Sequence, residues 1–193
     1  MRICVFGAAS NEIDKKYINA VEKLSFELAK RGHNLVFGAG GQGLMGAAAV
    51  GFKKGGANII GVIPTFFKEA NIEAIYKECD ELIFTETMRE RKGKMEDLAD
   101  AFIIVPGGVG TFEEFFEVLT LKQLARHNKP IAVYNYDGYY DNMDALLDTS
   151  IKEGFVKKAC KTIYKITADE NELIKYLEND EQNSLSIKDM KNG

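Results

Sequence analysis

The chain has 193 residues, 46% of them hydrophobic and 28% charged, with a formal net charge of −4. That length suits one α/β domain, and the mild acidity argues against a sequence-independent nucleic-acid binder, which is normally basic. No apolar run approaches a membrane span, and two histidines argue against a zinc site.

Arg2-Ile-Cys-Val-Phe6 reads as a first strand, so no signal peptide is expected. Cys4, Cys79 and Cys160 are odd in number and far apart, which suits reduced core thiols of a cytoplasmic protein. Gly7-Ala-Ala-Ser10 is a small-residue loop, with Ser10 placed either to cap the next helix or to touch a ligand. Tyr17, Val21, Leu24 and Leu28 form an apolar stripe at helical spacing, and Gly32 is placed as its C-terminal cap. Leu35-Val-Phe37 is the second strand, followed by the glycine loop Gly38-Ala-Gly-Gly-Gln-Gly43 and a helix of small residues over 44–52. A third strand over 58–63 stops at Pro64, and residues 65–78 read as irregular or loosely helical.

A short strand over 81–84, a helix over 87–99 and a buried strand over 101–105 come next. Pro106 ends that strand, three glycines follow, and Glu113 opens a helix running to Leu124. A strand over 130–134, a helix over 139–153, a last strand over 162–166 and a helix over 169–177 complete the order. Strands alternate with helices throughout, which predicts a Rossmann-like three-layer α/β/α fold with a mostly parallel sheet. One domain over 1–178 and a polar tail over 179–193 are expected.

Three stretches carry chemistry. The first, Pro106-Gly-Gly-Val-Gly-Thr-Phe-Glu-Glu114, runs from strand through glycine loop to helix start, where unpaired amides bind anions. Thr111 followed three residues later by Glu114 also matches a capping box, in which Glu114 would only bond back to the backbone. The second, Gly38-Ala-Gly-Gly-Gln-Gly43, matches a dinucleotide fingerprint, yet the next strand ends without the carboxylate that would hold a ribose. Nicotinamide binding is therefore disfavoured, leaving a tight packing turn or a nucleotide contact. The third is the charged run Thr87-Met-Arg-Glu-Arg-Lys-Gly-Lys-Met95. Met88, Met95, Leu98 and Ala99 mark an apolar helix face, and Arg91 and Lys92 fall on it while Arg89, Glu90 and Lys94 point out. An inward arginine needs a carboxylate or phosphate partner; Glu113, Glu114 and a bound phosphate are the candidates. Asn135-Tyr-Asp-Gly-Tyr-Tyr140 is an Asp-Gly turn with aromatics, read as core, pocket rim or subunit contact.

The 106–114 run matches in full the P-G-G-x-G-T-x-x-E motif of the Lonely Guy family. Met88-Arg-Glu-Arg-Lys92 resembles its M-H-x-R-K motif, and Gly40-Gly-Gln-Gly-Leu-Met-Gly46 resembles its earlier glycine run. The resemblance implies a phosphoribohydrolase that splits the N-glycosidic bond of adenosine monophosphate or cytokinin riboside 5′-monophosphates, with no cofactor or metal. It also implies a homodimer or assembly of dimers with the site near the interface. Carried over by position, it makes Arg91 and Glu114 catalytic. Lys92, Met88, Gly107, Gly108, Val109, Gly110, Thr111, Glu113 and Thr120 become substrate-binding, with Gly40, Gly41 and Ser10 as further contacts. Arg89 stands where the family usually has histidine. Residues between Thr65 and Tyr76 are expected to line part of the base pocket. A non-catalytic nucleotide-binding or sensing module is the rival, using the same loops without turnover.

Overall fold

The computed structural model describes residues 1–69 and 74–179. The strands are β1 (Arg2–Phe6), β2 (Asn34–Phe37), β3 (Ile59–Pro64), β4 (Glu81–Thr85), β5 (Ala101–Ile104), β6 (Ile131–Tyr134) and β7 (Lys165–Thr167). The helices are α1 (Lys15–Lys30), α2 (Gly43–Lys54), α3 (Thr65–Glu69), α4 (Met88–Leu98), α5 (Val109–Gln123), α6 (Asp141–Lys152) and α7 (Glu170–Glu178). All strand pairings are parallel and make one seven-stranded sheet in the order β4-β3-β2-β1-β5-β6-β7. The expected three-layer Rossmann-like fold is what forms.

Successive strand residues point to opposite faces, and both faces here are apolar. Ile3 and Val5 join a core with α1, α2 and α7, whereas Cys4 and Phe6 join a second core with α4, α5 and α6. Helix α1 starts where the Asp14 carboxylate accepts from the Lys16 amide at 2.9 Å, and it ends before Gly32 at φ 85°. Asp14, and not Ser10, is thus its cap. Helices α1 and α2 approach closely because α2 carries glycine at the contact: a Cβ on Gly51 would lie 2.3 Å from the Glu22 carbonyl.

Strands β2, β3 and β4 lie on one side of β1, and β5, β6 and β7 on the other. The direction in which successive strands are added to the sheet reverses between β1 and β5, so the loops leaving their carboxyl ends diverge and open a crevice.

Several boundaries differ from expectation. Pro64 closes β3 as its last residue instead of stopping it from outside, and among the described residues of the irregular stretch 65–69 are helical. The 139–153 helix begins at Asp141, after a 3-10 turn over Tyr136–Gly138 with Asp137 at φ 56°. The last strand shifts to Lys165–Thr167, behind a 3-10 turn over Lys158–Thr162. The largest change is α5, which begins at Val109 and not Glu113. Gly108 is its N-cap, so Thr111 is the third helical residue and no capping box forms; Glu113 and Glu114 lie in the second turn. The predicted tail beyond residue 179 lies outside the described residues.

Candidate active site

The crevice holds a cavity of about 410 Å³. Its floor is residues 7–10 after β1 and the start of α5, where Gly108, Gly110 and Thr111 line it. Met45 of α2 and Phe67 of α3 form apolar walls, and Met88, Arg91 and Lys92 enter from α4. Glu113 and Glu114 of α5 complete the lining.

Helix geometry leaves the amides of Val109, Gly110 and Thr111 without intrahelical acceptors. The first α5 amide bond is Phe112 N–H to the Gly108 carbonyl at 3.0 Å. Those free donors and the helix dipole make an anion site at the cavity floor. Gly107 is required by the Thr111 side chain, because a Cβ there would lie 2.1 Å from Thr111 Oγ1.

Arg91 is 6% exposed, so the inward placement read from the α4 spacing holds, although Met88 on the same face is 39% exposed. Its partners are not the expected carboxylates. Arg91 Nε donates to the Val62 carbonyl at 3.1 Å and Nη2 to the Gly38 carbonyl at 2.8 Å, both at the carboxyl ends of strands. Nη1 lies 3.8 Å from Met88 Sδ, and the guanidinium stacks 5.4 Å from the Phe67 ring centre. No carboxylate among the described residues lies within ion-pair distance of it. Backbone carbonyls therefore hold a buried cation in place while its full charge remains available to the cavity.

Glu114 sits one helical turn beyond Thr111, about 4.5 Å along the axis and on the same face. No described group hydrogen-bonds its carboxylate. Burial pushes its pKa up to about 7; Arg91 and Lys92 pull it down, and Glu113 and Glu117 raise it. It can therefore gain or lose a proton near neutrality. Lys92 lines the cavity but is committed, paired with Glu113 and, at 2.7 Å, with Glu117.

The remaining predicted contacts divide. Ser10 lines the cavity, its Oγ accepting from the Glu12 amide at 3.2 Å. Gly40 and Gly41 do not line it. Gly40 bridges to Ile75, the Gly41 amide donates to the Ala74 carbonyl at 2.6 Å, and a Cβ on Gly46 would lie 2.5 Å from the Gly41 carbonyl oxygen. That run is a packing turn. Thr120 is exposed and absent from the lining, two turns down α5. The Val109 side chain is 84% exposed. Gly107 borders a second cavity of about 260 Å³ on the other side of the loop, with Tyr17 and Tyr139. Arg89 is exposed, as the spacing of α4 predicts.

The carboxyl-end rule for parallel sheets points to the loops at Gly7, Gly38 and Gly107 as the place where a ligand binds, and the structure puts residues 7–9 in the cavity lining and the Gly38 carbonyl against Arg91. Met45 carries no such signal in the sequence. Phe67 falls in the stretch assigned to the base pocket and does line the cavity; residues 70–73 of that stretch lie outside the described residues.

A Rossmann-like sheet with helix-start amide donors at its switch point, flanked by a fixed arginine and a carboxylate whose pKa is pushed up to about 7, defines a candidate site for an anionic ligand. Comparison with known proteins narrows the class. A family model described as "possible lysine decarboxylase" matches residues 45–177. The chain is 38% identical to cytokinin riboside 5′-monophosphate phosphoribohydrolase LOG2 of Arabidopsis thaliana over 92% of this chain and 82% of that protein. It is 39% identical to the probable phosphoribohydrolase LOGL1 of Oryza sativa subsp. japonica, over 92% and 78%. Among solved structures, the molybdenum cofactor carrier protein of Chlamydomonas reinhardtii superposes with a TM-score of 0.69 at 22% identity, covering 92% of this chain and 95% of that one. The molybdenum cofactor binding protein of Rippkaea orientalis does so with a TM-score of 0.64 at 20% identity, over 92% and 96%. At that identity the structural likenesses speak for the fold alone. The chain belongs to the Lonely Guy family.

Proposed function

We propose that this chain is a hydrolase of N-glycosidic bonds, converting cytokinin riboside 5′-monophosphates or adenosine monophosphate to free base and ribose 5-phosphate. One observation carries the reading: Glu114, with Arg91 beside it, stands one turn from a helix N-terminus built for a phosphate.

The 5′-phosphate rests on the amides at the start of α5 and on the Thr111 hydroxyl. Anchoring it fixes the ribose and turns remote binding energy into orientation at C1′. The base extends toward Phe67, Met45 and Met88. When the C1′–N bond breaks, its electron pair leaves with the base and positive charge develops on the sugar. Ionised Glu114 stabilises that charge and takes a proton from the attacking water, whose oxygen bonds to C1′. The proton then passes to the departing base. Arg91 keeps part of the Glu114 population ionised by its charge.

Decarboxylation, which the family model's description names, suits the cavity poorly. Imine chemistry needs a neutral lysine. Partial burial favours that form of Lys92, but Glu113 and Glu117 outweigh it and hold the ammonium charged.

The protein acts as a homodimer or an assembly of dimers. Supporting this, Val109, Phe116 and Leu124 are exposed at 84%, 36% and 57% along one side of α5, where Thr120 is also exposed. Thr120 reaches a substrate only if a second copy's cavity lies against that side. Three free cysteines fit the reducing cytoplasm.

The test is incubation with adenosine monophosphate and, separately, with adenosine. Free adenine from the nucleotide, at least about a hundredfold faster than from adenosine, is expected. Equal turnover would remove the phosphate anchor, and binding of the nucleotide without any turnover, cytokinin nucleotides included, would leave the sensing module.

A further inference from the structure

The aromatic turn between β6 and α6 has no part in the chemistry described so far, yet it touches the phosphate loop twice. Tyr140 donates its hydroxyl to the Val105 carbonyl at 2.8 Å, and Tyr139 donates its hydroxyl to the Gly107 carbonyl at 2.7 Å. The two bonds differ in consequence. Val105 precedes Pro106, whose nitrogen carries no hydrogen, so the first bond ties down the chain without aiming a donor. Gly107 precedes Gly108. Within one planar trans peptide the carbonyl and the N–H point in opposite directions. Holding the Gly107 carbonyl toward the second cavity therefore turns the Gly108 N–H toward the first.

Among the described contacts, only Tyr139 bonds the polar groups of that peptide itself. It lies between two glycines, whose backbone torsions are unhindered by a Cβ. A Cβ on Gly108 would meet nothing within 4 Å, and the flanking contacts, Thr111 packed on Gly107, the Gly107 amide facing the Tyr140 hydroxyl and the Gly108 carbonyl accepting from the Phe112 amide at 3.0 Å, fall on either side of this peptide and not on its own carbonyl and N–H. A flip of this peptide would present a carbonyl oxygen to the phosphate in place of a donor.

Tyr139 is itself well held. Its ring stands edge-on to Tyr17 at 6.0 Å and to Tyr140 at 5.0 Å. The turn is clamped by the Tyr140 amide on Asn135 Oδ1 at 2.7 Å, by Asn135 Nδ2 on Asp141 at 2.7 Å, and by an ion pair from Lys16 to Asp137.

We propose that Tyr139 is a positioning residue of the phosphate site, its hydroxyl locking the Gly107–Gly108 peptide so that the Gly108 amide joins those of α5 as an anion donor. This rests on the functional reading above for the identity of the ligand and adds a fourth backbone donor to the three at the helix start.

The experiment compares the wild type with Tyr139→Phe, which keeps the ring and its packing. Ribose 5-phosphate is titrated by calorimetry, and adenosine monophosphate turnover is measured alongside thermal melting. The dissociation constant for ribose 5-phosphate and the KM for the nucleotide should both rise about tenfold, with kcat within about threefold and the melting temperature nearly unchanged. Unchanged ribose 5-phosphate affinity would overturn the proposal, as would a fall in kcat and melting temperature without loss of that affinity. A wild type that binds ribose 5-phosphate but turns over no nucleotide would refute the enzymatic reading, while the binding comparison would still decide the role of Tyr139. A wild type that binds no ribose 5-phosphate would refute both.

Discussion

Gly38→Ala should separate the stability of this fold from its activity. Gly38 has no unusual backbone torsion, so alanine is conformationally acceptable there. Its new Cβ, however, would lie 1.8 Å from Arg91 Nη2 and 2.8 Å from Cζ. To regain an ordinary contact of about 3.5 Å the guanidinium must retreat by roughly 1.7 Å. The atoms in the way are the far end of a flexible side chain, so Arg91 can swing out and leave the sheet intact. It forfeits its bonds to the Val62 and Gly38 carbonyls. Such charged hydrogen bonds are worth about 1.5–3 kcal/mol each, and water in the open cavity restores much of that. A net loss of about 1–3 kcal/mol corresponds to about 3–10 °C in melting temperature for a chain of this size. Activity should suffer far more, because misplacing a charge near the reacting centre by more than an ångström costs about a hundredfold in kcat/KM. Adenine release from the nucleotide, measured beside a thermal melt, reads both. Wild-type kcat/KM in Gly38→Ala would refute the idea that the two carbonyls place Arg91 for catalysis.

Two further outcomes follow from the same geometry. In the proposed mechanism Glu114 acts ionised, and burial pushes its pKa up to about 7, so kcat/KM should rise with pH through that region. Arg91 lowers that pKa, so Arg91→Met, beyond its overall loss of rate, should move the rise to higher pH; a pH–rate profile of each protein checks this. Gly46→Ala should do the converse of Gly38→Ala, because its Cβ would meet the Gly41 backbone at 2.5 Å, where nothing can swing away. A destabilisation on the order of 2–4 kcal/mol is expected, seen as a lower melting temperature with the KM of the folded enzyme unchanged.

The five central strands were legible because each is short, apolar and bounded by glycine or proline, and alternation with helices implies the parallel sheet; β7, a half-buried edge strand with neither residue beside it, was placed three residues early. Arg91 was legible because Met95 and Ala99 fix the inward side of α4 by spacing alone. Its partners were not, since backbone carbonyls at strand ends leave no trace in side-chain identity. The start of α5 was misplaced for a similar reason. Glycines signal a loop, yet Gly110 is helical, and the Thr111 and Glu114 spacing of a capping box also arises between two successive turns. The 40–46 glycine run illustrates the opposite hazard, where close packing between a turn and a helix demands the same residues as nucleotide approach. The role expected of Thr120, exposed on α5 beside Val109 and Phe116, would require the proposed second copy of the chain, which spacing within one chain cannot locate.

The most direct measurement is to supply adenosine monophosphate to the wild type and to Glu114→Gln and follow adenine and ribose 5-phosphate together. Equal amounts of the two products are expected from the wild type and a rate lower by about a thousandfold in Glu114→Gln, with ribose 5-phosphate still bound by the variant. Undiminished product formation by Glu114→Gln would contradict the role given to that carboxylate. The absence of products from the wild type with both this nucleotide and the cytokinin nucleotides would contradict the reaction itself.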